Sequence, residues 1–470
     1  MKLTSLIAGN PVRGREVLEV FNPYDGSRVG TVRMATHDDL DTAVAVACEF
    51  RETPTRFARA EILEKARLAL EAQREKFARL ITAEAGLALR ETRYEVGRTL
   101  DVLRFAGMEA LRDDGQIFSG DISAQGKARK IFTTREPLRC AGAITPFNHP
   151  LNQIAHKIAP AIAAGTPIVL KPSEKTPLTA LKFAELLYAA GLPGAMLSVL
   201  LGPTSEIAEP LVRHTDVDVL AFTGSEAIGK RIATIAGYKK LVLELGGNDP
   251  LIVLNDADLE LAVTLAAEGS FRNSGQRCTA VKRILVEEKI APEFTKRLVA
   301  KTKEYVCGDP MAEKTRVGTV ISESAALQLE SVLQDAVAAG AKVLCGGKRR
   351  GAQFEPTVIT KVPRECRMVV TESFGPLAPI ITVRDLDDAL ALANSTAYGL
   401  SSAIATTNLN HALKAIKTLR CGTVNVNEVP GFRVECSPFG GIKDSGLGVK
   451  EGVIEAIKAY SFVKTFSLPW

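Results

Sequence analysis

The chain has little of several things, and each shortage removes a class of protein. Its five histidines and eight cysteines are scattered, with no Cys-x-x-Cys pair, so neither a zinc site nor a disulfide framework is expected. No apolar run approaches the ~20 residues of a membrane span. The opening MKLTSLIAGNPVRGREV carries too short an apolar stretch before Arg13 and Arg15 for a secretory signal, so a cytoplasmic protein is expected. One-sided charge is missing too. The net charge is +5, with basic residues spread along the chain, which gives no natural surface for nucleic acid.

What is present is an ordinary globular composition, 46% hydrophobic and 24% charged, in a chain of 470 residues. That length calls for two or three domains of ~150 residues each. Residues 38–111 read as helical. HDDLDTAVAVACEFRE opens on Asp38 and Asp39, RAEILEKARLALEAQREKFARLITAEAG ends at Gly86, and the next run sets Leu100, Leu103, Gly107 and Leu111 on one stripe. The texture then changes. GAITPFNHP, TPIVLKPSE, LSVLLGP, VDVLAFTGS and KKLVLELGG each hold a short β-branched or aliphatic run stopped by Gly, Pro or Ser, with helical stretches between. That alternation predicts an α/β fold with a parallel sheet whose ligands lie at the carboxyl ends of its strands.

A second α/β pattern starts after LELGG, so a boundary is expected near Gly246 and Gly247. IFSGDISAQGKARKIFTTREP reads as two strands around a polar turn, and the tail IKAYSFVKTFSLPW also looks strand-like. Neither has a domain of its own, which suggests subunit contacts.

Of the eight thiols, Cys278 has unusual company: NSGQRCTAVKR sets Arg277 directly before it on a Ser-Gly turn. A cysteine nucleophile needs a held electrophile and donors for the oxyanion. Asn148, in PFNHP at a strand end, is a candidate donor; alone it is also an ordinary turn asparagine. Glu244, in LELGG, is either a buried structural carboxylate or a base with a raised pKa. FTGS followed by a helix suits a phosphate, although it is neither a Walker A loop nor G-x-G-x-x-G. In KPSE, Glu174 can accept both hydroxyls of an adenosine ribose and repel a 2′-phosphate.

In this order PFNHP, KPSE, FTGS, LELGG, GQRCTA, ESFGP and PFGGIKDSGLG resemble the aldehyde dehydrogenase superfamily, and the resemblance runs from NPYDG to the final strand. It implies an aldehyde dehydrogenase fold. Residues 1–117 and 138–245 would form a Rossmann-like NAD-binding domain and 246–445 an α/β catalytic domain. Residues 118–137 and 456–470 would form an oligomerisation hairpin and tail of a homodimer or homotetramer. It also implies a mechanism. The Cys278 thiolate attacks an aldehyde, Asn148 Nδ2 and the Cys278 N–H hold the oxyanion, hydride passes to NAD, and Glu244 activates water against the thioester. Each oxyanion donor would contribute ~3–4 kcal/mol to the barrier. Lys171, Ser173 and Glu174 would hold the adenosine ribose. Thr223, Gly224, Ser225 and Leu245 would line the rest of the cofactor site, with Ser225 at the pyrophosphate. Glu372 and Phe374 would position the nicotinamide end. A base at Glu244 points to a free acid product, since branches that transfer the acyl group elsewhere usually lack it.

Four further residues bear on the substrate. Arg277, His149, Arg433 in VPGFRVECSPFGG, and Arg104 beside the Leu100/Leu103 stripe are each unremarkable singly. Converging on one tunnel with Thr279, they would make a site for a phosphate or phosphonate. EALRDDGQIFS, ITPFNHPLNQIAHKIAPAIA and the ending YSFVKTFSLPW look like phosphonoacetaldehyde dehydrogenases, which form phosphonoacetate. Phosphonoformaldehyde and glyceraldehyde 3-phosphate are the alternative substrates. A catalytically inactive binding protein is the alternative from another class.

Overall fold

The short apolar runs become the strands of two seven-stranded sheets. The computed structural model of the chain describes every residue except Arg15. In the first sheet, Lys240–Glu244, Val219–Thr223, Ala141–Ile144, Ile168–Lys171 and Leu197–Val199 lie side by side in that order, all parallel. The earliest of them, Ala141–Ile144, sits in the middle, so the chain winds outward in both directions. A crevice therefore opens beyond the carboxyl ends where Ala141–Ile144 meets Val219–Thr223. The register aligns those ends: Ile144 faces Lys171 and Phe222, and Thr223 faces Glu244. Leu6–Ile7 and Asn10–Pro11 close one edge as antiparallel strands.

The second sheet runs Lys342–Cys345, Thr357–Thr360, Leu377–Val383, Val281–Glu287, Asp249–Val253, Ser401–Ala405 and Thr423–Val426. It is covered on both faces. Ile252, Leu285 and Ile381 feed one apolar cluster, while Leu251, Ile284 and Ile380 feed the other. This is why its strands are apolar runs rather than alternating ones.

Four helices, His37–Glu49, Arg56–Ala72, Arg74–Ala85 and Leu89–Ala110, account for the helical N-terminal region. Thr36 and Asp39 form a capping box at the first of them. Leu100 and Leu103 are buried as the stripe requires, but Leu111, just past the last helix, is exposed.

A third, antiparallel sheet joins Ile117–Ser119, Arg129–Pro137 and Ser461–Pro469. Tail and hairpin pair over nine positions, with Phe132 stacked on Phe466 at 5.3 Å. Residues 457–459, expected in the tail strand, end the helix Val453–Ala459 instead. A small sheet of Lys2–Thr4, Arg28–Arg33 and Val17–Phe21 was not anticipated. Among the described residues, no helix is long and apolar enough to cross a membrane.

Candidate active site

The two large sheets face the crevice with opposite ends. The first supplies the residues at or just past the carboxyl ends of its strands: Asn148, Lys171, Ser225 and Glu244. The second supplies the residues before its strands, Cys278 ahead of Val281–Glu287 and Glu372 and Phe374 ahead of Leu377–Val383. The expectation that all of them sit at carboxyl ends thus holds for one sheet only.

Cys278 sits on a strained loop. Asn273, Ser274 and Gly275 all have φ between 54° and 68°, a left-handed run that costs non-glycine residues about 1–2 kcal/mol each. Gly275 is required there, because a Cβ would lie 2.1 Å from the Gly375 carbonyl oxygen. Three side chains hold the loop through four hydrogen bonds. Asn273 Nδ2 donates to the Asn148 carbonyl at 2.9 Å, and Asn148 Nδ2 donates to the Gln276 carbonyl at 2.9 Å. Lys282 Nζ bridges the Gly275 and Ser373 carbonyls at 2.8 and 2.7 Å. Burial pushes the Cys278 thiol up to about 12, helped by Glu372, Asp249 and Glu244, while Arg433 pulls it down.

Glu244 is buried and neither carboxylate oxygen has a hydrogen-bond partner. Burial raises it to about 8, against the pull of Lys157, Arg433 and Lys450. Gly440 leaves the space its carboxylate occupies. Lys157 itself is wholly buried and paired with Glu451. A carboxylate with free lone pairs and a pKa near neutrality is suited to take a proton from water.

The cofactor candidates lie along the crevice. Lys171 Nζ pairs with Glu174 at 2.8 Å, and Ser173 Oγ accepts from the Lys175 N–H. The buried Thr223 hydroxyl has no partner, and Ser225 caps the helix Glu226–Ile235 without using its side chain on it. The Gly224 N–H donates to the Glu244 carbonyl, and Leu245 fills the space left by Gly229 in that helix. Glu372 accepts from the Gly247 N–H at 3.2 Å and is raised by burial to about 7, with Lys282 opposing. A Cβ on Gly246 would strike the Glu372 carboxylate, so the glycine pair permits this close approach. Phe374 meets Phe147 edge-on at 6.0 Å. An unused hydroxyl, an unused helix start and a glycine-lined cleft fit a dinucleotide.

The positive residues do not all converge. Arg104 is on the exposed face of its helix beside Glu64, whose carboxyl is lowered first by Arg67 and more weakly by Arg104, so it is withdrawn from the site. Its place is taken by Arg98, which the sequence reading passed over. Arg98 Nε donates to Glu435 at 2.5 Å. The same carboxylate receives His156 Nε2 at 2.6 Å and lies 4.0 Å from Arg433 Nη2. Arg433 lies 3.7 Å over the Phe439 ring, and burial lowers it. Burial also lowers His149, with Arg98 and Arg277 adding to the effect, and its Nδ1 lies 3.6 Å from Glu95. Arg98, Arg277, Arg433 and His149 thus share one field beside Cys278.

Arg277 is used in part for structure. Its Nη2 caps the helix Leu259–Phe271, donating to the Glu268 and Gly269 carbonyls at 3.0 and 2.7 Å. Its Nε is buried with no partner, and burial lowers the group to about 10. Thr279 packs where Gly431 lacks a Cβ. A lysine within the strand VKRILVE and one within the apolar helix NQIAHKIAPAIAA were sequence signals for Lys282 and Lys157. His156 shares that helix, and Glu435 carried no such signal.

A thiol and a base presented from opposing sheets across a dinucleotide cleft serve oxidation through a covalent cysteine adduct, the chemistry of a cysteine-dependent dehydrogenase. The aldehyde dehydrogenase family model matches residues 11–466, and the chain belongs to that family. It acts on a small aldehyde. A 3-sulfolactaldehyde dehydrogenase from Priestia aryabhattai is 40% identical over 444 residues, 94% of this chain and 93% of that protein. Aldehyde dehydrogenase 21 from Physcomitrella patens, solved in complex with the reaction product succinate, is 37% identical with a TM-score of 0.96, over 100% of this chain and 98% of that one. The NADP-dependent glyceraldehyde-3-phosphate dehydrogenase from Bacillus halodurans C-125, complexed with NADP, is 33% identical with a TM-score of 0.97, over 100% and 99%.

Proposed function

We propose that this enzyme oxidises a short aldehyde bearing a terminal oxyanion, phosphonoacetaldehyde first among them, to the free acid. The observation that carries the proposal is the unpartnered Arg277 edge beside Cys278, within a field of three guanidinium groups. A buried cation without a carboxylate is matched by an anionic ligand, and the guanidinium fork suits phosphonate, phosphate, sulfonate or carboxylate. The relatives' names lend support to the class, since a sulfonate, a phosphate and a carboxylate occur among them. 3-Sulfolactaldehyde is the second reading.

In this mechanism the anion on Arg98, Arg277 and Arg433 sets the carbonyl over Cys278, and His149 lines the same wall. The Cys278 thiol gives its proton to water, and the thiolate adds to the carbonyl carbon, giving a thiohemiacetal oxyanion that meets Asn148 Nδ2 and the Cys278 N–H. The nicotinamide, when bound, supplies the hydride acceptor. Glu244 then takes a proton from water, whose oxygen attacks the resulting Cys278 thioester and releases the acid. Lys171, Ser173 and Glu174 hold the adenosine ribose. Thr223, Gly224, Ser225 and Leu245 line the middle of the dinucleotide, and Glu372 and Phe374 its reactive end. The Lys171–Glu174 pair favours NAD, because a 2′-phosphate would meet the carboxylate. The reading also assigns 1–117 and 138–245 to cofactor binding and 246–445 to catalysis. It gives the hairpin 118–137 and the tail 456–470 to a homodimer or homotetramer, where exposed Phe462, Phe466 and Trp470 would be covered.

The test is reduced-cofactor formation from phosphonoacetaldehyde, 3-sulfolactaldehyde, glyceraldehyde 3-phosphate and acetaldehyde, each with NAD and with NADP. A kcat/KM for phosphonoacetaldehyde ~100-fold above acetaldehyde, ~2.7 kcal/mol of transition-state binding, is expected. Equal values would remove the anion reading. A higher value for 3-sulfolactaldehyde would replace the substrate and keep the class.

A further inference from the structure

One charged side chain near the thiol takes part in no step of the mechanism above. Lys282 is the second residue of the strand Val281–Glu287 and is 2% exposed. Its ammonium donates to carbonyls of two different loops, Gly275 at 2.8 Å and Ser373 at 2.7 Å. Its Nζ also lies 5.1 Å over the Phe374 ring. Burial lowers its pKa, while Glu372, Asp249 and Cys278 favour its charge and Arg277 opposes it.

The two loops carry the two halves of the redox step. Gly275 belongs to the left-handed turn that presents Cys278. Ser373 stands between Glu372 and Phe374. The loops meet backbone to backbone, since a Cβ on Gly275 would lie 2.1 Å from the Gly375 carbonyl oxygen and 2.7 Å from the Pro376 nitrogen. Among the described residues, Lys282 is the one side chain hydrogen-bonded to both. Asn148 and Asn273 hold only the thiol loop, and the Gly247 N–H holds only Glu372.

A buried ammonium is costly unless its donors are met, so both carbonyls must stay within reach of one nitrogen. An apolar residue at this strand position would leave the same two loops in van der Waals contact with nothing to fix their separation.

We infer that Lys282 is a positioning residue for hydride transfer: by tying the Gly275 and Ser373 carbonyls together, it sets the nicotinamide end of the cofactor site against the carbon held on Cys278. The inference rests on the proposed placement of the nicotinamide beside Glu372 and Phe374 and is independent of the anionic substrate. Hydride transfer is the step that such a tie governs, because a misplacement of ~1 Å between reacting groups costs ~10²-fold in rate.

The test compares two reactions of the same thiol. Acetaldehyde oxidation with NAD or NADP needs hydride transfer. Hydrolysis of p-nitrophenyl acetate by the cofactor-free enzyme does not. There the Cys278 thiolate adds to the ester carbonyl and p-nitrophenolate leaves. Water then gives a proton to Glu244 and releases acetate. In Lys282→Met the ratio of the oxidation rate to the ester hydrolysis rate is expected to fall ~10–10²-fold. With acetaldehyde deuterated at C1, the isotope effect on kcat should be at least as large in the variant as in the wild type. Lys282→Gln, one atom shorter and uncharged, should show the same fall and decides the question should Lys282→Met fail to fold. A lysine that only supports the fold would slow both reactions alike, so an unchanged ratio would overturn the inference. An isotope effect that shrinks would do so too, because another step would then have been slowed. Glu372→Gln separates this inference from the reading beneath it. A ratio that falls in Glu372→Gln but not in the Lys282 variants would overturn the inference alone. A ratio unchanged in Glu372→Gln would remove the nicotinamide placement and the inference with it.

Discussion

Asn148 Nδ2 donates to the carbonyl of Gln276 at 2.9 Å, joining the end of one sheet to the loop two residues before Cys278. The amide is held beside the thiol before any substrate arrives. In the proposed mechanism it meets charge that develops later, so its removal should affect the chemical step. Asn148→Ala is expected to lower kcat by ~10²–10³ with KM little changed. Steady-state kinetics checks this, and an unchanged kcat would take Asn148 out of the oxyanion site.

The Cys278 thiol is raised to about 12 by burial and the carboxylates around it. Well below that value the thiolate fraction grows tenfold per pH unit. Alkylation of the cofactor-free enzyme by iodoacetamide should therefore accelerate ~10-fold per unit between pH 7 and 9. Arg433 is the cation pulling the thiol down, so Arg433→Met should slow alkylation at every pH in that range. A flat profile would mean the thiolate is already formed.

Glu244 is raised to about 8, and as the proposed base it must be ionised, so thioester hydrolysis should rise through an apparent pKa near 8. Lys157 pulls that value down. Lys157→Met should move the limb to higher pH, and Glu244→Gln should give about one reduced cofactor per subunit before stalling. Single-turnover acid release across pH measures both. A limb unmoved in Lys157→Met would discount the Coulombic link.

The proposed anion site makes different demands of Arg98 and Arg104. Arg98→Ala and Arg277→Ala should each lower kcat/KM for phosphonoacetaldehyde by ~10–10²-fold, ~1.5–3 kcal/mol for a charged hydrogen bond, while leaving acetaldehyde unaffected. Arg104→Ala should change neither. Glu435→Gln, which loosens Arg98 and Arg433 together, should resemble Arg98→Ala. Equal losses on acetaldehyde would show a structural effect instead.

The sequence by itself marked out the strands of the first large sheet, the helices between them and Cys278, Glu244 and Asn148 as the candidates for chemistry. Those depend on local signals: short aliphatic runs ending in Gly or Pro, and motifs read in order along the chain. It did not determine which arginine of the helix Leu89–Ala110 lies near Arg277 and Arg433. Arg98 and Arg104 lie on one helix, six residues apart, and only the packing of that helix turns the first toward Glu435 and the second toward Glu64. Nor did it reveal that the second sheet offers the amino ends of its strands, or that Glu435 gathers Arg98 and His156 from two helices beside Arg433 of its own loop. Contacts between residues hundreds of positions apart leave no local pattern. Tertiary structure decides them, because charge pairing depends on distance in space and burial decides which groups must be paired.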